Sequence, residues 1–167
     1  MNKLIYAVAL LALVGCSSYR STSDLPVVKN FDAVRYMGTW HEIARLPKWF
    51  ERDLDEVTAT YSLDGKKLRI VNRGVRTGEE VVSTAVGHFA GSEKEGAFRV
   101  SFFRPFYGGY RIIWLSPEYD LAMVTSDDRS SLWILARDKA IAPERRQQLV
   151  KMAQNWGFAT EALEYPK

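Results

Sequence analysis

The chain has 167 residues and a mass of 19.0 kDa; it is 47% hydrophobic and 26% charged, with 23 basic and 20 acidic side chains and a net charge of +3. That length suits one domain, large enough to bury about 70% of its unfolded surface. A single cysteine excludes an internal disulfide, and two histidines, His41 and His88, exclude the ligand cluster of a structural zinc site. A surplus of three charges, despite a pI near 9.0, makes no basic stripe for nucleic acid.

The first residues read as a targeting segment. Met1-Asn2-Lys3 is a short basic head, and residues 4–14 form an unbroken apolar run that ends at Gly15-Cys16. Eleven helical residues rise only ~16 Å against a hydrocarbon core of ~30 Å, so the run is too short to span a membrane and reads as a secretory signal over residues 1–15. Leu13-Val14-Gly15-Cys16 resembles the bacterial lipobox, in which a small residue precedes a cysteine that is acylated and becomes the mature N-terminus. Cys16 is then an anchor rather than a nucleophile. A single acyl chain binds membranes marginally, so two or three chains are needed for a durable anchor. Ser17 in place of an aspartate favours, by the same resemblance, release to the outer membrane of a Gram-negative cell. Residues 16–30, rich in serine and with little periodicity, are expected to form the acylated N-terminus and a flexible tether, leaving 31–167 as the folded domain.

From Gly38 onward the chain alternates with a period of two. Eight segments rich in Val, Ile, Thr and aromatic residues, at 38–46, 57–63, 67–74, 81–91, 98–104, 109–115, 120–126 and 132–138, are bounded by turn residues. Asp64-Gly65 predicts a tight hairpin between the second and third. Short connections leave no room for crossover helices, so the expectation is an all-β antiparallel meander. One helix follows: Pro143-Glu144 opens it, Leu149, Met152, Ala153 and Trp156 fall at helical spacing, and Gly157 stops it. Its apolar stripe suits packing on the outside of a barrel.

A closed eight-stranded barrel is filled by side chains or holds one small ligand. Alternation places Val57, Ala59 and Tyr61 on the inner face, then Leu68 and Ile70, then Ala85, Gly87 and Phe89, then Phe98, Val100 and Phe102, then Tyr110, Ile112 and Trp114, with Trp133 on the last strand. Large aromatics beside small neighbours suit a tapering cavity, apolar throughout and closed at one end. A filled barrel is the alternative.

The residues Gly38-Thr39-Trp40-His41-Glu42-Ile43-Ala44-Arg45 resemble the glycine-x-tryptophan motif that opens the first strand of lipocalins, with Phe31-Asp32 as its lead-in. Arg137 matches the family's last-strand arginine, which packs over the tryptophan at the closed end. Pro117-Glu118-Tyr119 departs from the threonine-aspartate-tyrosine of many lipocalins and keeps only Tyr119. Residues 57–63 and 100–110 look instead like the bacterial outer-membrane lipocalins, relatives of apolipoprotein D. The resemblance implies an eight-stranded up-and-down barrel with a C-terminal α-helix outside, and a lipoprotein that binds a fatty acid or lysophospholipid in its calyx for lipid storage or transport in the envelope. It implies no cofactor; monomer and homodimer both stay open.

In that orientation the loops 47–56, 75–80, 104–108 and 127–131 form the mouth. They carry Trp49, Phe50, Phe106 and Tyr107, suited to a ligand tail or to lipid at a bilayer surface, or else folded back on themselves. The rim charges are mixed: Lys48, Arg52, Arg76, Arg104 and Arg129 stand against Glu51, Asp53, Asp55, Glu56, Glu79, Glu80, Asp127 and Asp128. This suits a zwitterionic head group, with Arg104 as its expected contact. Glu42 is the one acid expected inside, paired near the closed end. No nucleophile is evident besides the lipobox cysteine, so a binding protein is expected. An enzyme acting on lipid and a non-binding envelope scaffold are the competing classes.

Overall fold

The computed structural model describes residues 20–167; the apolar run, the lipobox and Cys16 lie outside the described residues. Eight antiparallel strands, β1 (Gly38–Arg45), β2 (Asp55–Asp64), β3 (Lys67–Arg76), β4 (Glu79–Phe89), β5 (Ala97–Phe103), β6 (Phe106–Leu115), β7 (Leu121–Thr125) and β8 (Leu132–Ala136), pair in sequence order. β8 pairs back onto β1, which closes the barrel. The eight expected segments are present, with ends moved by a few residues. Two-residue turns join β2 to β3 through Gly65-Lys66, with Gly65 at φ +59°, and β3 to β4 through Thr77-Gly78. Phe103 pairs with Phe106, so the β5–β6 connection is Arg104-Pro105 alone, and Phe106 and Tyr107 sit on the strand rather than in a loop.

One helical turn, α1 (Ala33–Tyr36), precedes β1. Asp32 caps it by accepting from the Arg35 amide at 3.2 Å. Helix α2 (Pro143–Asn155) packs Leu149 and Ala153 against the outer wall, where Ile113, Met123 and Ile134 meet it. The barrel therefore has two apolar clusters, one under the helix and one inside.

The β6 bulge corrects one sequence expectation. Ile112 pairs with Val124 and Trp114 with Met123, so three residues of β6 oppose two of β7. The extra residue reverses the parity: Trp114 leaves the interior and joins Ile113 in the outer cluster under α2, while Leu115 turns inward. Strict alternation had placed Trp114 in the calyx.

The expected tether is also revised from Arg20 onward. Thr22 donates to the Asp127 carbonyl at 3.1 Å, at the open end, and is buried there. The chain then runs down the outside of the barrel, where Val28 donates to the Ile112 carbonyl at 3.0 Å and accepts from Gly96 at 2.9 Å. Lys29 pairs with Glu95 at the closed end. Buried Leu25 and these backbone bonds tie the segment down. Arg129, expected on the rim, is buried beneath it, bridging Asp24 at 3.0 Å and the Trp156 carbonyl at 2.6 Å.

Candidate functional site

The closed end is sealed by packing that begins in the sequence motif. Trp40 is fully buried and donates through Nε1 to the Tyr36 carbonyl at 2.8 Å. The Arg137 guanidinium lies 4.0 Å from the centroid of the Trp40 ring. The same guanidinium donates to the carbonyls of Arg35, Tyr36, Met37, Thr39 and Tyr119 at 2.8–3.3 Å, so one side chain satisfies the end of α1 and the β6–β7 turn. Gly38 has a φ of +94°, open to glycine at little cost, and a Cβ there would lie 3.4 Å from Arg137. Tyr119 accepts from the Asp32 amide at 2.9 Å and lies under the Arg35 guanidinium.

Above this seal, Phe31, Phe89, Phe98 and Tyr36 fill the bottom of the barrel with tilted and edge-to-face rings 4.7–6.0 Å apart. Leu68, Phe89, Phe98 and Ile112, all expected to touch ligand, belong to this packed cluster and lie below the cavity. Tyr36, Tyr110 and Tyr61 form a hydroxyl chain with O–O distances of 2.7 and 2.9 Å. Burial pushes all three phenols up, so the cavity floor is polar but uncharged.

The cavity has two contiguous lobes. The inner lobe, about 100 Å³, is lined by Ala59, Tyr61, Ile70, Val100, Tyr110 and Trp133 among others. The outer lobe, about 360 Å³, opens between Trp49, Leu54, Val81 and Phe103. Phe50, Glu51, Val57, Asn72 and Phe102 line both lobes. Together the lobes fall within the ~300–1,000 Å³ of ordinary ligand pockets. Of the expected ligand contacts, Ala59, Tyr61, Ile70, Val100, Phe102, Tyr110 and Trp133 line this space. Arg104 is exposed in the β5–β6 turn at the open end.

The wall is not apolar throughout, which corrects a second expectation. Glu42 points into the inner lobe rather than toward the closed end, and Glu51 folds in from the mouth on a single 3-10 turn, Trp49–Glu51. Both carboxylates are buried. Arg45, also buried, donates to Glu42 at 2.7 Å, to Glu164 at 3.0 Å, and to the Glu51 and Leu54 carbonyls at 2.9 and 3.2 Å. Trp133 Nε1 lies 3.3 Å from both Glu51 carboxylate oxygens. Two buried acids beside one buried guanidinium in a low-dielectric wall cannot both ionise cheaply, whereas Glu164 approaches the same guanidinium from the half-exposed outer side. Burial and the proximity of Glu51 push Glu42 up, and burial pushes Glu51 up. Asn72 Oδ1 is buried without a hydrogen-bond partner among the described residues. Sequence alternation reached Glu42 because it shares the parity of Trp40. It missed Glu51 because a loop residue carries no periodicity.

A closed eight-stranded meander with this seal has known relatives. The family model of the lipocalin-like domain matches residues 31–167. The chain belongs to the lipocalins. This lipocalin is 44% identical over 162 residues to the outer membrane lipoprotein Blc of Citrobacter freundii, covering 95% of this chain and 92% of that one. It is 35% identical over 170 residues to the Blc of Vibrio cholerae, covering 99% and 98%. Among solved structures, insecticyanin of the tobacco hornworm superposes with a TM-score of 0.69 over 86% of this lipocalin and 84% of that protein, at 19% identity, a likeness of fold alone.

Proposed function

We propose that this lipocalin is an outer-membrane lipoprotein, anchored through acylated Cys16, that holds the acyl chain of a lysophospholipid or fatty acid in its cavity for storage or transport of envelope lipid. The two-lobed cavity, open at one end and sealed by the Trp40–Arg137 packing at the other, carries this reading. The similarity to the outer membrane lipoproteins of Citrobacter freundii and Vibrio cholerae supports the location. Twelve methylenes buried at ~0.8 kcal/mol each contribute up to ~10 kcal/mol before association and ordering costs, so micromolar binding needs no strong head-group contact.

The acidic wall refines the preference. A fatty-acid carboxylate drawn inward meets Glu42 and Glu51, whereas a lysophospholipid keeps its phosphate at the rim, where the Arg104 guanidinium can pair with it through two parallel hydrogen bonds. A glycerol hydroxyl that follows the chain inward finds an acceptor in Asn72 Oδ1. Titration of the Cys16→Ser protein with lysophospholipids below their micellar threshold tests the reading. Saturable 1:1 binding that tightens with chain length until the cavity is full is the expected result. Absence of saturable binding removes the carrier and leaves the scaffold; release of a hydrolysed product brings back the enzyme. The same variant should leave the membrane fraction after a salt wash.

A further inference from the structure

The described chain begins at the open end of the barrel. Ser21 pairs with Asp128 and Thr22 with Asp127 and Ser126, all in the β7–β8 connection beside the mouth, before the segment descends to the closed end at Lys29. Only Ser17, Ser18 and Tyr19 lie between Cys16 and Arg20. Even fully extended, that stretch spans no more than about 14 Å. Strands of ten residues tilted as in a closed barrel give a body roughly 25 Å long. An acyl group on Cys16 therefore reaches a bilayer when the open end faces it, and the connection is too short to let the closed end do so.

The surface brought to the membrane in that orientation is unusual for a soluble protein. Trp49 is 84% exposed, Phe103 78% and Phe106 73%, and Phe50 and Phe102 are about half exposed. All five come from the β1–β2 loop and the β5–β6 hairpin at the mouth. Trp49 is held edge-on against Phe50 at 5.6 Å, and the loop beneath is fixed by Arg76, which donates to the Phe50 and Arg52 carbonyls at 3.2 and 3.1 Å. Indole and phenyl rings beside arginines are the chemistry of the interfacial zone, where amphipathic rings sit at head-group depth. Trp49, Phe50, Phe102 and Phe103 also line the outer lobe, so the exposed aromatic edge is continuous with the cavity wall.

We propose that the mouth docks directly on the leaflet that holds the protein's own acyl anchor, with Trp49, Phe103 and Phe106 inserted among the head groups, so that an acyl chain passes from bilayer to cavity without crossing water. The inference rests on the reading of Cys16 as acylated, and the test keeps the two apart. Full-length acylated protein is reconstituted into vesicles of phosphatidylethanolamine and phosphatidylglycerol carrying brominated acyl chains. The emission of Trp49 is isolated as the difference between wild type and Trp49→Phe. Docking quenches more than half of that emission by bromine, and lowers its quenching by aqueous iodide at least threefold relative to the Cys16→Ser protein in solution.

Protein that stays with the vesicles while Trp49 remains open to iodide and blind to bromine overturns the docking and leaves the anchor intact. Protein that does not join the vesicles overturns the anchor and the docking with it. Shielding of Trp49 in vesicle-free solution, together with a doubled mass in sedimentation, assigns the aromatic edge to a second copy of the chain and also overturns the docking. As a second reading, Phe103→Ser with Phe106→Ser should retain the fold and the vesicle association but reduce the bromine quenching of Trp49 at least twofold.

Discussion

Substitution of Ala59 by tryptophan should shorten the chain that the cavity accepts. Ala59 lies on β2 opposite Trp40 and Asn72, its methyl facing the inner lobe. By proportion to an apolar cavity of ~150 Å³, which takes the six carbons of benzene, that lobe of about 100 Å³ admits roughly three or four chain carbons. An indole at this position fills it. Losing about three methylenes at ~0.8 kcal/mol each removes ~2.4 kcal/mol, roughly a fiftyfold increase in Kd for a chain long enough to have filled both lobes. The optimum chain length should fall by about three carbons, while chains short enough to sit only in the outer lobe bind as before. Ala59→Leu should lie between, at about five- to tenfold. Calorimetric titration with a lysophospholipid series measures both quantities, and thermal unfolding checks that the ~1–3 kcal/mol expected from overpacking leaves the protein folded. Folded variants that keep the wild-type affinity and the wild-type chain optimum would show that the acyl chain does not enter the inner lobe.

The closed end supplies a stability test. Trp40→Ala should cost ~3–5 kcal/mol, and Arg137→Ala less, ~1.5–3 kcal/mol, because water replaces part of its bonding to exposed carbonyls. Their urea-unfolding energies should be non-additive by at least ~1 kcal/mol through the stacked pair, and additivity would refute the contact. Arg137→Lys should not restore stability, since an ammonium cannot reach several diverging carbonyls at once. The buried acids supply a pH test. Glu42 is raised from 4.5 to about 8, so between those values the folded protein holds a proton that the unfolded chain has released. Stability from this group is complete below pH 4.5 and is lost as pH rises through about 8. The urea midpoint should therefore fall from pH 5 to pH 8.5 in the wild type and fall less in Glu42→Gln, where an amide replaces the acid; equal slopes in the two proteins would refute the assignment.

Periodicity and composition determined most of this architecture before any coordinate. The period-two segments, the short turns and the Pro143-to-Gly157 helix are local signals, because a strand or helix that buries one face records its period in its own residues. The resemblance of the Gly38–Trp40 motif and Arg137 to the lipocalin pattern located the sealed end, and alternation put Ala59, Tyr61, Ile70, Val100, Phe102, Tyr110 and Trp133 on the cavity wall. Tertiary structure alone decided the rest. The β6 bulge turned Trp114 outward, since one unpaired residue flips every later side chain and leaves no mark in the alternation. The depth at which the aromatic plug ends decided that Leu68, Phe89, Phe98 and Ile112 pack beneath the cavity and do not line it, because inward-facing residues of one strand look alike whether they lie below or within a cavity. Glu51 entered the calyx and Arg129 was buried under the N-terminal segment through contacts with residues 82 and 105 positions away. Such pairings form only when the barrel closes, and a charged loop residue reads as solvated until the partner that desolvates it is in place.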